Sequence, residues 1–362
     1  MKEVPLSKIH QQKGARMIDF GGWYMPVSYT SIIEEHNCVR NHVGVFDVSH
    51  MGEFILKGPH ALELIQRCTS NDASVLTPGK AQYSCFPNEK GGIVDDLIVY
   101  CLEKDVYMLV VNASNTEKDW NWLCKHNTMG VEMIDISEKT TLLAVQGPDA
   151  LTVLQQLTEI NLSSVSYYSF IKGTLAGIDN VLIAATGYTG EPGFEIFFDK
   201  IHSEKIWNAI FETGKKFDIK PIGLGARDSL RLEMGYCLYG KDIDDDTTPL
   251  EAGLGWITKF TKEFNSSNIL LNQKSLGLKK KLVGFEMIDK GIPRSHYQIF
   301  DNNKRMIGNV TSGTHSPSLL KPIGMGYVTV ENSKQENEIF ISVRDKLLKA
   351  KIVKFPFYKK KV

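Results

Sequence analysis

The sequence has few cysteines and no paired-cysteine motif. Its six cysteines are scattered through 362 residues, at Cys38, Cys68, Cys85, Cys101, Cys124 and Cys237. A chain of this length does not need disulfides to stabilise its core, so we expect reduced and mostly buried thiols. The nine histidines form no H-E-x-x-H motif and no cluster with cysteine at ligand spacing. The sequence therefore predicts no bound metal.

The chain also lacks an excess of charge of either sign and lacks long hydrophobic runs. Its 42 Lys and Arg balance its 42 Asp and Glu, which argues against nucleic-acid binding because no basic field is present. The amino-terminal segment MKEVPLSKIHQQKGARMIDF has no apolar stretch of signal-peptide length, and no later stretch approaches a membrane span. We predict a cytoplasmic protein that binds neither nucleic acid nor membrane.

What is present is the composition of a globular protein of two or three domains, with 42% hydrophobic and 23% charged residues. A polar, lysine-rich boundary, TKEFNSSNILLNQKSLGLKKK, lies between about residues 260 and 282. Short strand-like runs follow it, and YQIFDNNKRMIGNV is typical of a hairpin around Asn302 and Asn303. We therefore predict a first domain over residues 1–275 and an all-β sandwich or barrel over residues 280–362.

The first 275 residues mix helices and strands. ALELIQRCTS and SEKIWNAIFETGKKF have apolar residues at helical spacing, whereas VYMLVVNAS and VLIAAT are typical of strands. Hairpin-like segments outnumber strand–helix–strand units, which favours an α+β fold over a doubly wound sheet.

The stretch GGIVDDLIVY predicts a strand that carries two adjacent carboxylates. Aspartate is depleted in strands, and successive side chains point to opposite faces of a sheet. Asp96 therefore shares a face with Tyr100, and Asp95 shares the other face with Leu97. If both faces are covered, at least one carboxylate is removed from water.

The segment FDVSHMGEF brings Asp47, Ser49 and His50 close in sequence. A hydrolase triad is nevertheless disfavoured, because triads are assembled in space and the chain has no G-x-S-x-G elbow. Met51 beside Gly52 is of more interest, since a flexible apolar side chain next to a glycine suits close approach to a flat ligand.

A glycine-rich turn leads into a strand in TGYTGEPGFEIFF. On that strand Phe194, Ile196 and Phe198 share one face, and Glu195 lies on the other. Two interpretations of Glu195 stay open at this point. It is either a partly desolvated acceptor for two parallel donors on the edge of a fused heterocycle, or an exposed residue on the wet face of a hairpin.

The segment GLGARDSLRLEMGYCLYG contains G-x-G, but Asp228 stands where a dinucleotide-binding motif needs its third glycine. Arg227 is near the start of a predicted helix, where the helix dipole favours anions over cations. The position indicates either pairing with an anionic ligand or an intramolecular salt bridge.

Taken together, these motifs resemble the aminomethyltransferase, or T-protein, family of the glycine cleavage system. The motifs that carry the resemblance are FDVSHMGEF, GGIVDDLIVY, GYTGEPGFEIF and GLGARDSLRLEMGYCLYGKDIDDDTTPLEAGLGW, in that order. The resemblance runs nearly end to end, from GARMIDFGGWYMPVSYTSI to KFPFYKK.

The resemblance implies a three-lobed α+β fold, with two lobes in a larger folate-binding portion and a carboxy-terminal β-barrel. It further implies that the chain accepts an aminomethyl group from the lipoyl arm of a partner, the H-protein. Tetrahydrofolate would be the co-substrate, and 5,10-methylenetetrahydrofolate, ammonia and the dihydrolipoyl partner would be the products. No metal is required.

The resemblance also implies roles for particular residues. Asp96 matches the catalytic carboxylate, Glu195 the carboxylate at the pterin edge, and Arg227 the ligand-binding arginine. The tail FYKKKV departs from related endings. The remaining residues expected around the folate are Met51, Tyr83, Tyr100, Val110, Asn112, Tyr188, Trp256 and Tyr358.

Two other functions are compatible with a folate-binding chain of this kind. One is a demethylase that passes a methyl group from a small donor to tetrahydrofolate. The other is a non-catalytic folate-binding factor of iron–sulfur assembly, which carries K-G-C-Y-x-G-Q-E. The nearest stretch here, MGYCLYGKDID, lacks the Gln-Glu.

Overall fold

The computed structural model describes residues 1–344 and 346–360. Within these ranges no helix is long and apolar enough to cross a membrane. The α-helices of the described part are α1 Ser7–Gln12, α2 Ile32–Asn41, α3 Ala61–Cys68, α4 Thr116–His126, α5 Ala150–Gln155, α6 Ser203–Gly214, α7 Leu224–Glu233 and α8 Ser267–Leu276. Its strands are β1 Lys2–Glu3, β2 Arg16–Phe20, β3 Trp23–Ser28, β4 Gly44–Asp47, β5 Gly52–Lys57, β6 Lys80–Pro87, β7 Ile93–Glu103, β8 Val106–Val111, β9 Glu132–Asp135, β10 Thr140–Gln146, β11 Phe170–Leu175, β12 Ile178–Ala184, β13 Gly193–Asp199, β14 Lys220–Pro221, β15 Lys280–Met287, β16 Gln298–Phe300, β17 Met306–Ser316, β18 Lys321–Thr329, β19 Glu338–Val343 and β20 Lys346–Val353.

The chain folds into two compact units. The first consists of Met1–Ile65, Ala73–Tyr83 and Leu97–Asp228. The second consists of Gln66–Asp72, Ser84–Asp96 and the described residues from Ser229 onward. Strand β7 passes from the second unit to the first after Asp96, and helix α7 passes from the first to the second after Asp228.

The first unit contains a six-stranded sheet of order β11-β12-β13-β10-β4-β14. Its neighbouring strands are antiparallel, except that β14 runs parallel to β4. Phe194, Ile196 and Phe198 of β13 are buried in a hydrophobic core that also contains Trp207 of α6. The alternation expected for β13 is therefore confirmed, and Glu195 points to the opposite face.

A second, five-stranded sheet has the order β6-β7-β8-β5-β9. Its central strand is β8. Val111 of β8 is the register partner of Gly52 on β5 and also of Leu97 on β7. A small three-stranded sheet of order β1-β3-β2 accompanies these two sheets.

The second unit contains a closed barrel of order β15-β18-β17-β16-β19-β20. Its interior is apolar, with Phe285, Ile299 and Ile341 fully buried. Strands β16 and β17 pair as a hairpin whose turn includes Asn302 and Asn303, as predicted. The α+β class with a carboxy-terminal barrel is confirmed. The domain limits 1–275 and 280–362 stay a prediction, and residue 362 is outside the described residues.

A buried ion pair links the last turns of α7 to the barrel within the second unit. Arg231 donates to Asp242 at 2.5 Å and to the hydroxyl of Ser312 at 2.9 Å. The hydroxyl of Thr311 donates to the other oxygen of Asp242 at 2.5 Å. Each charge is thus satisfied, as a buried ion pair requires.

Candidate active site

Glu195 lies half-buried on β13 and has a defined donor. The hydroxyl of Thr186 donates to its carboxylate at 2.5 Å. The hydroxyl of Tyr100 lies 3.3 Å from that of Thr186. Of the two interpretations left open by the sequence, the partly desolvated carboxylate describes this position and the wet hairpin face does not.

The surroundings of Glu195 shift its acidity in opposing directions. Burial raises the pKa of the carboxyl above its ordinary value, and this effect dominates. The hydrogen bond from Thr186 and the positive charge of Arg227 act against it. Hydrogen bonds from the N–H donors of a ligand would likewise lower the pKa of Glu195 and stabilise its ionised form.

Arg227, on α7, lies over an aromatic ring of the glycine-rich turn. Its guanidinium carbon is 4.5 Å from the centre of the Tyr188 ring, a cation–π geometry. Arg227 also contributes positive charge at Glu195 and at His50. Tyr100, Tyr188, Glu195 and Arg227 are thus brought together in the first unit.

The glycine-rich turn is held in place by Gln146, the last residue of β10. Its side-chain nitrogen donates to the carbonyl of Thr186 at 3.1 Å, and its oxygen accepts from the hydroxyl of Thr189 at 3.0 Å. A Cβ atom on Gly187 would lie 2.1 Å from that same side-chain oxygen. Glycine is therefore needed at position 187 so that Gln146 can position Thr186.

His50 is a buried imidazole in the neighbourhood of Arg227. Its pKa is lowered to about 3, mainly by burial and also by the charge of Arg227, while Asp47 acts in the opposite direction. The imidazole is consequently neutral at neutral pH. The triad interpretation stays disfavoured, because the hydroxyl of Ser49 donates to Asp47 at 2.5 Å and Asp47 pairs with His10 at 2.8 Å.

Tyr100 supports the site from within the protein. It is fully buried. Its ring packs edge-on against Phe170 and Phe197, with ring centres 5.6 Å away in each case. Its hydroxyl lies beside that of Thr186, and its hydrogen bonding also lowers the pKa of Glu195, so Tyr100 stabilises the Thr186–Glu195 pair from behind.

Three further residues of the expected site lie together on the five-stranded sheet. Met51 directly precedes β5 and Asn112 directly follows β8, and the adjacent residues Gly52 and Val111 are register partners. Met51 and Asn112 are half-buried, whereas Val110 is almost fully buried. The sheet thus presents these side chains from two adjacent strands.

Asp95 and Asp96 differ in exposure as alternation requires. Asp95 is fully buried, and Asp96 is half-buried. The charge of Asp96 contributes to raising the pKa of the thiols of Cys85 and Cys237, although burial is the main cause in both. Both aspartates belong to the second unit.

The other expected site residues are distributed over the two units. Tyr83, in the first unit, is half-buried on β6. In the second unit, Trp256 is 60% exposed in a short 3-10 turn. Tyr358 is half-buried, and its backbone N–H donates to the carbonyl of Glu233 at 3.0 Å.

Sequence reasoning missed the supporting residues Thr186 and Gln146. Thr186 begins the quoted glycine-rich segment, and a hydroxyl just before a glycine turn was the only available signal. Gln146 is far away in sequence, so no local pattern marks it. Among the described residues no three His, Cys, Asp or Glu side chains are grouped so as to hold a metal ion.

This arrangement combines an acceptor carboxylate, a stacked cation and aromatic surfaces, a set suited to a flat ligand with an N–H edge. Comparison with known proteins identifies the class. Residues 6–262 match the family described as the GCVT N-terminal domain, and residues 280–359 match the glycine cleavage T-protein C-terminal barrel domain. The chain belongs to the glycine cleavage T-protein family.

Relatives that carry the name aminomethyltransferase match along nearly the whole chain. A protein named aminomethyltransferase from Flavobacterium psychrophilum is 58% identical over 99% of this chain and 100% of its own length. Its namesake from Bacteroides thetaiotaomicron is 57% identical over the same shares. The chain is therefore an aminomethyltransferase of the glycine cleavage system, and the predicted enzyme class is confirmed.

The three-dimensional comparison supports the same T-protein assignment. The crystal structure of the glycine cleavage system aminomethyltransferase T from Bartonella henselae matches with a TM-score of 0.92 and 34% identity. The match covers 99% of this chain and 98% of that one. The fold is thus shared over nearly the whole length of both T-proteins.

Proposed function

We propose that this aminomethyltransferase passes the one-carbon unit of an aminomethyl group, carried on the lipoyl arm of the H-protein, to tetrahydrofolate. The observation that carries the proposal is the half-buried carboxylate of Glu195, held by Thr186 and placed near Arg227 and Tyr188. T-protein family membership supports the same substrates.

The residues of this cluster fit the polar and flat parts of a reduced folate. A carboxylate accepts two parallel hydrogen bonds from the amino group and ring N–H at the pterin edge. The two oxygens of a carboxylate offer about four acceptor positions, so Glu195 retains some beyond those that Thr186 and Tyr100 engage. Tyr188 and Arg227 would pack against the planar portions of the ligand and pair with its anionic portion.

Asp96 is the proposed catalytic carboxylate. When bound, tetrahydrofolate supplies the nitrogen that attacks the methylene carbon. A half-buried carboxylate beside such a nitrogen would orient it, stabilise positive charge that develops during transfer and accept the released proton. The resemblance of GGIVDDLIVY to the family motif supports this role, together with the half-buried position of Asp96.

The remaining proposed folate contacts are Met51, Tyr83, Tyr100, Val110, Asn112, Trp256 and Tyr358. Of these, Tyr100 would act through Thr186 and Glu195, because its ring is fully buried. Placing two large reactants together would supply much of the acceleration, an effect that reaches about 7–11 kcal/mol in favourable systems. The cytoplasmic location expected from the sequence stays a prediction.

The test is a direct assay of transfer. The protein is incubated with tetrahydrofolate and aminomethyl-loaded H-protein, and methylenetetrahydrofolate and ammonia are measured. We expect both products in equal amounts, and neither when tetrahydrofolate is omitted. Absence of methylenetetrahydrofolate with both substrates present would refute the proposal.

A second assay tests whether the donor is a protein. Free aminomethyl-dihydrolipoamide replaces the loaded H-protein at the same concentration. We expect a much lower kcat/KM for the free donor, because docking of the partner contributes binding energy that a small molecule lacks. Equal efficiency of the two donors would remove the H-protein from the proposal and leave the folate part intact.

A further inference from the structure

Glu53, on β5, is a buried carboxyl group whose role is unaccounted for. Its residue exposure is 1%, and neither of its side-chain oxygens has a hydrogen-bond partner within residues 1–344 and 346–360. Native proteins rarely leave a buried polar group unpaired, because the desolvation of that group is then uncompensated. An unpaired carboxyl in a regular strand therefore requires an explanation.

The position of Glu53 in the strand shows which face it occupies. Phe54, the next residue, packs against Trp120 of α4 with ring centres 5.2 Å apart. Because side chains alternate along a strand, Glu53 points to the face opposite α4. Met51 lies two residues earlier in the chain, immediately before this strand.

The strand register extends this face across the sheet. Glu53 pairs with Val110 of β8, and Val110 pairs in turn with Ile98 of β7. Tyr100 lies two residues beyond Ile98 on the same face. Glu53 thus shares a sheet face with Val110 and Tyr100, two of the residues proposed to form the folate site.

The electrostatics agree with this placement. Burial, with a smaller contribution from Asp135, raises the pKa of Glu53 well above its ordinary value. Burial therefore favours the protonated form of this carboxyl, which offers both an O–H donor and a carbonyl acceptor. Burial is the main reason for the raised pKa of Tyr100, and the charge of Glu53 is a further contribution, so the two side chains lie within electrostatic reach.

We propose that Glu53 is a further ligand-binding residue of the T-protein site, and that its carboxyl O–H donates a hydrogen bond to a carbonyl oxygen of tetrahydrofolate. Glu195 would accept from the N–H edge of the same ligand, so the two carboxyl groups would have complementary roles. On the same sheet face Met51 and Ile98 are half-buried, so contact with a ligand there would require the long glutamate side chain to turn toward them. The inference rests on the proposed use of tetrahydrofolate.

The test separates free-protein stability from ligand affinity. Glu53→Leu removes the unpaired polar group and keeps a similar volume, while Glu53→Gln keeps a donor and an acceptor. For Glu53→Leu without ligand we expect a Tm at or above that of the unmodified protein. Calorimetry should show a tetrahydrofolate Kd raised by about tenfold, the loss expected when the ligand oxygen is left unpaired.

Two controls define the comparison. Glu53→Gln should bind tetrahydrofolate within about threefold of the unmodified protein, because an amide N–H replaces the carboxyl O–H. Glu103→Leu alters an exposed carboxylate on strand β7 of the same sheet and should leave Kd unchanged. If Glu53→Leu does not fold by circular dichroism, Glu53→Met, with an unbranched chain closer to the shape of glutamate, takes its place.

The outcomes are distinct for the two proposals. An unchanged Kd in a folded Glu53→Leu or Glu53→Met protein overturns the role of Glu53 and leaves the proposed function standing. Loss of fold in both apolar variants also overturns it, since the carboxyl would then serve the structure. Failure of the unmodified protein to bind tetrahydrofolate would instead refute the proposed function, and the inference about Glu53 with it.

Discussion

At the scale of single residues, burial raises the pKa of two carboxyl groups of the first unit, but nearby groups oppose the shift at only one of them. Glu195 is held by a hydroxyl donor and is near Arg227, two contributions that favour ionisation. Within the described part of the chain, Glu53 has no hydrogen-bond donor, and no cation lowers its pKa. Environments that differ in this way allow one carboxyl to accept hydrogen bonds while another donates them.

The first prediction concerns Glu195→Gln. The amide would present a donor to the donor edge of the ligand and would lose the charge of the acceptor. We expect tetrahydrofolate affinity to fall by about tenfold or more, with the circular dichroism spectrum unchanged. Glu138→Gln, at an exposed carboxylate, is the matched control in the same calorimetric titration. Unaltered affinity in Glu195→Gln would exclude Glu195 from the pterin edge.

The second prediction separates the adjacent aspartates of β7. Asp96→Asn keeps the shape but loses the charge and the base, so single-turnover rates should fall by about 10²-fold or more while folate still binds. Asp95 is fully buried. Asp95→Asn should therefore reduce the free energy of unfolding by roughly 1–3 kcal/mol, because buried groups that donate hydrogen bonds to the carboxylate would be left poorly paired.

Thermal melts and single-turnover assays on both variants test this assignment. The reverse result, an inactive Asp95→Asn protein and a merely unstable Asp96→Asn protein, would show that the two faces of β7 have been exchanged.

At the scale of the secondary-structure element, the turn between β6 and β7 orients the strand that carries both aspartates. The side chain of Asn88 accepts from the backbone N–H of Gly92 at 3.0 Å. It also donates to the carbonyl of Asp245 at 2.9 Å. A Cβ atom at position 92 would lie 1.8 Å from that carbonyl oxygen. Two pieces of backbone therefore approach more closely here than any residue with a side chain allows.

The third prediction follows for Gly92→Ala. Because the methyl group would collide with backbone rather than with a flexible side chain, relief requires the turn to move. We expect the free energy of unfolding in urea to fall by at least about 2 kcal/mol. Gly255→Ala is the matched control, since its Cβ would meet nothing closer than Leu250, at 3.6 Å. Equal stability of the two variants would contradict the close approach.

At the scale of the whole molecule, buried thiols couple stability to pH. Burial raises the pKa of Cys38 to about 11 and the pKa values of Cys68 and Cys85 to about 12. In the unfolded chain these thiols titrate near about 8.5. The folded state therefore retains protons that the unfolded state releases, so this stabilisation is complete below about pH 8.5 and decreases above it. Burial lowers the pKa of Lys262 to about 8. This one group therefore has the opposite effect, because its contribution to stability increases as the pH rises above about 8.

The fourth prediction is a loss of stability in alkali. Between pH 8.5 and 10 the free energy of unfolding should fall, with a limiting slope of about 1.4 kcal/mol per pH unit for each buried thiol. Urea unfolding in the presence of a reductant measures it. Cys68→Ala should remove the contribution of one thiol from the slope, about 1.4 kcal/mol per pH unit at the limit. Cys124→Ala, at an exposed thiol, should leave the slope unchanged. A slope equal in all three proteins would contradict the assignment.

Several features could be predicted from the sequence because they depend on local periodicity. Alternation along GFEIFFD predicted that Phe194, Ile196 and Phe198 share the buried face of β13, and the core confirms it. The same rule predicted that Asp95 and Asp96 occupy opposite faces of β7, and their exposures differ accordingly. The short strand-like runs and turns after residue 280 predicted an all-β sandwich or barrel, and the structure has a closed barrel. Four motifs in order indicated the T-protein family.

Other features were decided only by the tertiary structure. Alternation left Glu195 undecided between a wet and a desolvated face, and the hydrogen bond from Thr186 resolved it. The same pattern placed Glu53 on a strand without revealing that its carboxyl is buried and unpaired. Gln146 supports the glycine-rich turn from a distance of about forty residues in the chain. Periodicity determines which way a side chain points, whereas its partners depend on strand register and packing between segments remote in sequence, and those are set only when the whole chain folds.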